Sequence, residues 1–149
     1  MKPALPKVAF VCLGNACRSQ MAEGFARTYG ADVMSPASAG LMPAIAVPVE
    51  TRQAMMEKNI DISRHTPKGL ESFPPGGFDL LINMSGFQVP GYPDARVWDV
   101  RDPYGSGLDT YRVVRDQIEM LVMNLILELR RRSIGSKRVT RTAPRPPCS

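Results

Sequence analysis

The residues with the clearest chemical potential lie at positions 12–19, in the segment CLGNACRS. This segment follows an apolar run that predicts a buried strand and precedes a pattern that predicts a helix. Backbone N–H groups at a helix N-terminus have no intrahelical partner and carry part of the positive helix dipole. Gly14 and Asn15 tolerate the positive φ angles that turn successive N–H groups toward one anion. The predicted anion-binding residues are Leu13, Gly14, Asn15, Ala16, Cys17, Arg18 and Ser19.

Cys12 and Arg18 would give this loop its chemistry. Arg18 offers a planar fork suited to two oxygens of a phosphate-like group. The same positive field favours the thiolate of Cys12, which is the reactive form of a cysteine. A tetrahedral oxyanion held here would have its central atom beside a sulfur nucleophile, so the implied chemistry is attack on phosphorus or arsenic. A nucleotide P-loop is excluded, because Gly-x4-Gly-Lys-Ser/Thr does not occur. The alternative, a merely buried strand cysteine, leaves Arg18 and Ser19 unexplained.

Asp102 is the candidate general acid for the departing oxygen. The run Asp102-Pro103-Tyr104-Gly105 follows the last predicted strand, which should bring it to the same edge of a sheet. Asp102 could protonate the leaving group and then activate water. A simple Asp-Pro turn explains the same residues, and their spacing alone leaves both interpretations open. Tyr104 could form an aromatic wall of the substrate pocket.

Apolar periodicity predicts the elements that position these residues. Strands are predicted at 7–12, 32–39, 78–84 and 95–100, and helices at 18–29, 48–58 and 109–131. Pro36 counts against the second strand. The alternation predicts an α/β three-layer sandwich, with a four-stranded parallel sheet and helices on both faces. Ligands of such folds bind at the carboxyl ends of the strands, where Cys12 stands.

Charge divides the chain into two parts. Lys and Arg number 19 against 14 acidic residues, but seven basic residues and no acidic residue follow Glu128. We therefore predict a catalytic domain over 1–132 and a basic, Pro-rich, disordered tail over 133–149. The basic residues of the tail could bind an anionic surface. A solvated helix end explains the same charges, so nucleic acid is not expected as a partner.

Cysteine usage and hydropathy predict a cytoplasmic protein. Three cysteines without a signal peptide do not form a disulfide scaffold. No run of about 18 apolar residues predicts a membrane span. One histidine and clustered cysteines do not make a four-ligand zinc site, and neither metal nor cofactor is expected.

Three segments carry a family resemblance: VAFVCLGNACRSQMAEGFAR, IDISRHT and VWDVRDPYGSGLDTYRVVRDQI. They resemble the low-molecular-weight protein tyrosine phosphatase family, including its thioredoxin- or glutaredoxin-coupled arsenate reductase branch, from Lys7 to Glu128. The resemblance implies a parallel sheet of strand order 2-1-3-4. It also implies Cys12 as the nucleophile of a phosphocysteine intermediate, Arg18 as phosphate clamp and Asp102 as general acid.

The resemblance further implies which residues support the loop. Ser19 would donate a hydrogen bond to the thiolate, and Asn15 would hold the loop shape. A family histidine braces the loop through Asn15 and Ser19, which makes His65 a candidate, although His65 could equally be a turn residue. In the phosphatases, the likeness suggests a reversible protective disulfide between Cys12 and Cys17.

The missing thiols favour a phosphatase within this family. In the reductases, further cysteines follow the third strand and resolve the arseno-cysteine adduct, but Ser85 and Phe87 stand there in this chain. Cys17 and Cys148 are the remaining thiols. We therefore expect hydrolysis of phosphotyrosine, in a phosphorylated protein or a small aryl phosphate, with phosphate, arsenate or vanadate as site ligands. The alternatives are a thiol-coupled arsenate reductase, and a catalytically weak phosphate-binding protein with a basic interaction tail.

Overall fold

The computed structural model describes residues 4–74 and 76–142 of the chain. The strands are β1 (Lys7–Cys12), β2 (Ser35–Gly40), β3 (Leu80–Asn83) and β4 (Arg96–Val97). The helices are α1 (Arg18–Gly30), α2 (Val49–Met56) and α3 (Leu108–Thr142), with a 3-10 helix at Leu70–Ser72. Every predicted strand and helix is present, and most boundaries differ from the prediction by only a few residues.

The four strands form one parallel sheet in the order β2-β1-β3-β4. This confirms the predicted fold class and strand order. Pro36 is compatible with β2 because β2 is an edge strand, where a missing N–H need not break a ladder on both sides. Since all strands run in parallel, the ends of β1, β3 and β4 meet at the edge of the sheet where Cys12 lies.

The residues of β1 alternate between two hydrophobic clusters. Val8, Phe10 and Cys12 belong to the larger one, with buried residues of α1, α2 and α3. Ala9 and Val11 belong to a smaller cluster, on which Leu70 of the 3-10 helix and the loops around β3 and β4 pack. Because successive strand residues point to opposite faces, β1 is covered on both sides. Burial on both faces fixes the position of the loop that follows β1.

Helix α3 is longer than the sequence predicts. It continues to Thr142, so residues 133–142 are helical where the sequence predicts a disordered tail. No proline interrupts this stretch, and each residue added to an existing helix gains a backbone hydrogen bond. The rest of the predicted tail, with Cys148, lies outside the described residues, and the domain division stays a prediction. Neither α3 nor another described helix has the apolar length needed to cross a bilayer.

Candidate active site

The loop between β1 and α1 is held through its carbonyl groups. The backbone carbonyls of Cys12, Leu13 and Gly14 accept hydrogen bonds from N–H groups of the segment after β2, at positions 41, 42 and 44. Within the described chain, the N–H groups at positions 14–17 donate to no acceptor. The loop therefore keeps backbone donors available beside the N-terminus of α1, as an anion site requires.

Gly40 allows this close approach between the end of β2 and the loop. A Cβ atom at position 40 would lie 2.6 Å from the backbone N of Asn15 and 2.8 Å from the carbonyl carbon of Gly14. No side chain fits there. Any residue other than glycine at position 40 would therefore push the loop away from the end of β2. Sequence reasoning missed Gly40, because only the sheet register shows which glycine meets the loop.

Asn15 is the internal support of the loop. It has a φ of 49°, in the left-handed region that Asn tolerates better than most residues. Its side-chain Nδ2 donates to the hydroxyls of Ser19 at 2.7 Å and Ser38 at 2.9 Å. Its Oδ1 accepts from Gln20 Nε2 and from the N–H of Lys68, each at 3.0 Å. All the polar atoms of this buried side chain are satisfied, which stabilises the strained loop conformation.

The Cys12 sulfur lies 2.9 Å from the Ser19 hydroxyl oxygen. Because the Ser19 oxygen already accepts a hydrogen bond from Asn15, the hydroxyl proton of Ser19 is free to point at the sulfur. A hydrogen bond to the thiolate form of Cys12 stabilises the charge needed for nucleophilic attack. The geometry supports the expected relation of Cys12 to Ser19.

The Arg18 guanidinium has one nitrogen held by backbone carbonyls and another without an acceptor among the described residues. Its Nη1 donates to the carbonyls of Met84 and Val100, the latter at 3.1 Å, so the ends of β3 and β4 orient the guanidinium. Its Nη2 lies 3.5 Å from Asp102 Oδ2. Its Nε is buried and has no acceptor within the part of the chain that the structure describes. An oxyanion would supply the acceptor that this buried donor lacks.

These groups surround a cavity of about 240 Å³. Its lining is Cys12, Leu13, Gly14, Ala16, Cys17, Arg18, Met42, Ala44, Asp102 and Tyr104. Asp102 stands at the mouth, with 42% of its side chain exposed, and accepts a hydrogen bond from the N–H of Tyr104. The structure thus brings the predicted loop, acid and aromatic residue together, whereas Asn15 and Ser19 lie behind the loop as its support.

Cys17 is a second sulfur on the wall of the same cavity. It is the N-cap residue of α1 and is only 3% exposed. Its Sγ donates to the hydroxyl of Tyr111 at 3.8 Å. Burial raises the pKa of the Cys17 thiol to about 11, since a buried thiolate loses its hydration. Cys17 is therefore a protonated thiol at neutral pH.

His65 supports the loop by a different route from the one expected. Its Nδ1 lies 2.9 Å from Gln20 Oε1, and Gln20 Nε2 donates to both the backbone O and the Oδ1 of Asn15. Contact with Gln20 replaces the expected contacts with Asn15 and Ser19. Burial lowers the pKa of His65, so the ring is neutral at pH 7. Because Gln20 presents a carbonyl oxygen, Nδ1 carries the proton.

A buried ionic cluster continues this support and was missed by sequence reasoning. Ser38, which accepts from Asn15, donates to Glu23 at 2.5 Å. The Glu23 carboxylate also pairs with Arg27 at 2.7 Å and with Lys68 at 3.8 Å. Burial acts to raise the pKa of Glu23, but these hydrogen bonds and charges together lower it. Only the Glu23–Arg27 pair has a local i,i+4 spacing. Ser38 and Lys68 are far from Glu23 in sequence, so spacing alone does not signal the cluster.

Comparison with known families agrees with this geometry. The family model described as "Low molecular weight phosphotyrosine protein phosphatase" matches residues 7–135, which include the whole cavity. The chain belongs to the low molecular weight phosphotyrosine protein phosphatase family.

Of three relatives compared within this family, the two arsenate reductases share more sequence identity with the chain than the tyrosine phosphatase does. It is 40% identical over 132 residues to a "Glutaredoxin arsenate reductase" of Synechocystis sp., covering 84% of this chain and 99% of the relative. The solved structure "An arsenate reductase in the phosphate binding state" superposes with a TM-score of 0.77 at 37% identity, covering 84% and 99%. A low molecular weight protein tyrosine phosphatase from T. tengcongensis superposes with a TM-score of 0.72 at 29% identity, covering 84% and 99%.

The sequence-based prediction that this chain is a phosphotyrosine phosphatase is therefore wrong. Relatives named arsenate reductases share more identity with it than the tyrosine phosphatase does. The prediction depended on the absence of cysteines after β3, where Ser85 and Phe87 stand. That absence bears on where the second thiol comes from, and it does not exclude arsenate chemistry at Cys12.

Proposed function

We propose that this protein is a thiol-dependent arsenate reductase, with Cys12 as the nucleophile toward arsenate. The observation that carries the proposal concerns Arg18, which lines the Cys12 cavity and whose buried Nε has no acceptor among the described residues. A bound tetrahedral oxyanion would satisfy this donor together with the free N–H groups of the loop. The names of the arsenate reductases compared above favour arsenate over a phosphate ester.

The cavity suits a small anion that arrives alone. Its lining is largely apolar, and six of its ten residues are Cys, Gly, Ala or Asp. Its one aromatic residue, Tyr104, is 64% exposed. An aryl phosphate would need ring walls that hold its leaving group. Arsenate needs only hydrogen-bond donors around the anion, which Arg18 and the N–H groups of the loop provide.

The first step forms a bond between Cys12 sulfur and arsenic. The Cys12 thiolate attacks arsenic and one arsenate oxygen leaves as water, which requires a proton. Asp102 stands at the cavity mouth beside Arg18, where it could supply that proton as a general acid. No electrons are transferred in this step, and arsenic remains in the pentavalent state.

The second step reduces arsenic. A second thiol attacks the Cys12 sulfur, the electron pair of the S–As bond stays on arsenic, and arsenite leaves as the sulfurs form a disulfide. One arsenate is thereby reduced for two thiols oxidised. A thiol reductant such as glutathione, or a dithiol protein such as glutaredoxin or thioredoxin, must restore the free thiols for the next turnover.

A direct assay tests this function. Purified protein is incubated with arsenate and with glutathione plus glutaredoxin, or with a thioredoxin system, and arsenite is quantified by chromatography with element-specific detection. We expect arsenite to accumulate beyond one equivalent with at least one donor, and Cys12→Ser to form none. Asp102→Asn should slow turnover about 10²- to 10⁴-fold. If the wild type forms no arsenite with either donor system, the proposal is refuted.

A further inference from the structure

The proposed reaction requires two thiols, and the cavity contains two. Reduction of arsenate to arsenite takes two electrons, which correspond to one disulfide. Cys12 supplies one sulfur. Both Cys12 and Cys17 belong to the lining of the same cavity, and both are free and buried. Four residues separate them, with Cys12 at the end of β1 and Cys17 at the N-cap of α1, so the two sulfurs stand at the two ends of one short loop.

The two sulfurs have different hydrogen-bond partners, which suits them to different steps of the reaction. Cys12 contacts the Ser19 hydroxyl, whose proton is free to stabilise a thiolate. Cys17 instead donates a hydrogen bond to the Tyr111 hydroxyl, and Tyr111 is itself buried. A protonated thiol is a poor nucleophile. Cys17 therefore does not compete with Cys12 for arsenate and keeps its proton until the adduct has formed.

We propose that Cys17 is the thiol that resolves the adduct of Cys12 with arsenate. This inference rests on the proposed function. Cys17 sulfur attacks Cys12 sulfur, the S–S bond forms and the S–As bond breaks with its electron pair on arsenic. The Cys17 proton passes to the departing arsenite oxyanion, which takes up a further proton from solvent to give neutral arsenous acid. Arsenic is reduced from the pentavalent to the trivalent state, and the two cysteines are oxidised to one disulfide.

This assignment explains how the chain can act without thiols after β3. Ser85 stands in that region, and its hydroxyl donates to the side chain of Asn83, so the segment is committed to a local turn. With Cys17 as the resolving thiol, the complete two-electron step takes place inside the loop. The external reductant, two equivalents of a monothiol or one protein dithiol, is then needed only to reduce the Cys12–Cys17 disulfide.

A single-turnover experiment separates this inference from the function on which it rests. The protein is fully reduced, freed of small thiols under anaerobic conditions, and mixed with excess arsenate. We expect about one equivalent of arsenite, with peptide mapping that locates a new disulfide between Cys12 and Cys17. Cys148→Ser should give the same yield, which removes the third cysteine as the source of the second thiol.

The variant Cys17→Ser removes the proposed resolving thiol and is compared with Cys148→Ser. It should release no arsenite in single turnover and should retain the Cys12 adduct, while excess glutathione restores arsenite by attacking that adduct directly. Protection of Cys12 from iodoacetamide by phosphate shows whether the variant keeps its anion loop. If wild type releases no arsenite alone yet turns over with glutathione, the resolving role of Cys17 is wrong and the reductase function stands. If no condition produces arsenite, both are wrong.

Discussion

The side chain of Asn15 donates a 2.7 Å hydrogen bond to the hydroxyl of Ser19, and this contact decides which way the Ser19 proton points. With its oxygen engaged by Asn15, Ser19 directs its proton to the Cys12 sulfur 2.9 Å away. The same Asn15 side chain reaches Ser38 and the backbone of Lys68. The hydrogen bond to the Cys12 sulfur is thus part of a buried network that extends from the loop to β2 and to Lys68.

Asn15→Ala should damage both the fold and the site. It removes four side-chain hydrogen bonds, leaves buried partners unsatisfied and strains a backbone with positive φ. We expect a loss of about 2 to 4 kcal/mol in the free energy of unfolding, measured in urea, and weaker arsenate binding by calorimetry. Asn59→Ala is the control, because Asn59 also has a positive φ of 61° but is exposed. Equal effects on arsenate binding in the two variants would contradict the role given to Asn15.

Gly40→Ala should displace the anion loop without changing any residue of the loop itself. The new Cβ would meet the backbone of Gly14 and Asn15 at distances below 3 Å, so the loop must shift. A misplacement of about 1 Å can cost about 10²-fold in rate, which the arsenite assay would detect. Gly107→Ala is the control, since a Cβ there meets no atom within 4 Å. A fully active Gly40→Ala protein would show that the loop does not need this contact.

Arg18→Lys should weaken anion binding although the positive charge remains. A lysine carries its three donors on one nitrogen, so it cannot hold the carbonyls of Met84 and Val100 as Nη1 does and also present separate Nε and Nη2 donors to the anion. We expect the dissociation constant for arsenate to rise by about 10- to 100-fold, measured by calorimetry at constant ionic strength. The neighbouring exposed Arg101→Lys should leave the constant unchanged. A similar constant for Arg18→Lys and wild type would mean that charge alone holds the anion.

Glu57 should make stability depend on pH in acid. Hydrogen bonds from Arg112 and Arg115 lower the pKa of Glu57 to about 2, below its unfolded value of about 4.3. Between these values the unfolded chain binds more protons, so stability falls as the pH drops. Glu57→Gln should flatten the dependence of the urea midpoint over this range, whereas Glu50→Gln on α2 should not. Parallel pH profiles for Glu57→Gln and wild type would refute this linkage.

The anion loop could be predicted from sequence because its determinants are local. A buried strand, a turn rich in residues that tolerate positive φ, and a helix start lie consecutively within 7–30. The strand order followed from the family resemblance, and the parallel sheet followed from the alternation of elements. Asp102 was placed at the cavity by the same reasoning, since the parallel strands bring their ends to one edge.

Tertiary structure alone decided which groups hold the loop and how far α3 extends. The Asn15 contacts with Ser38 and Lys68 span 23 and 53 residues of sequence, and Gly40 meets the loop only through strand register. Such contacts depend on where packed elements place side chains in space, which local periodicity does not contain. The amino-acid order by itself predicts a sulfur nucleophile in a loop that binds an oxyanion. Folding decided that Cys17, the second thiol of the loop, is buried and donates a hydrogen bond to the hydroxyl of Tyr111, 94 residues away in sequence.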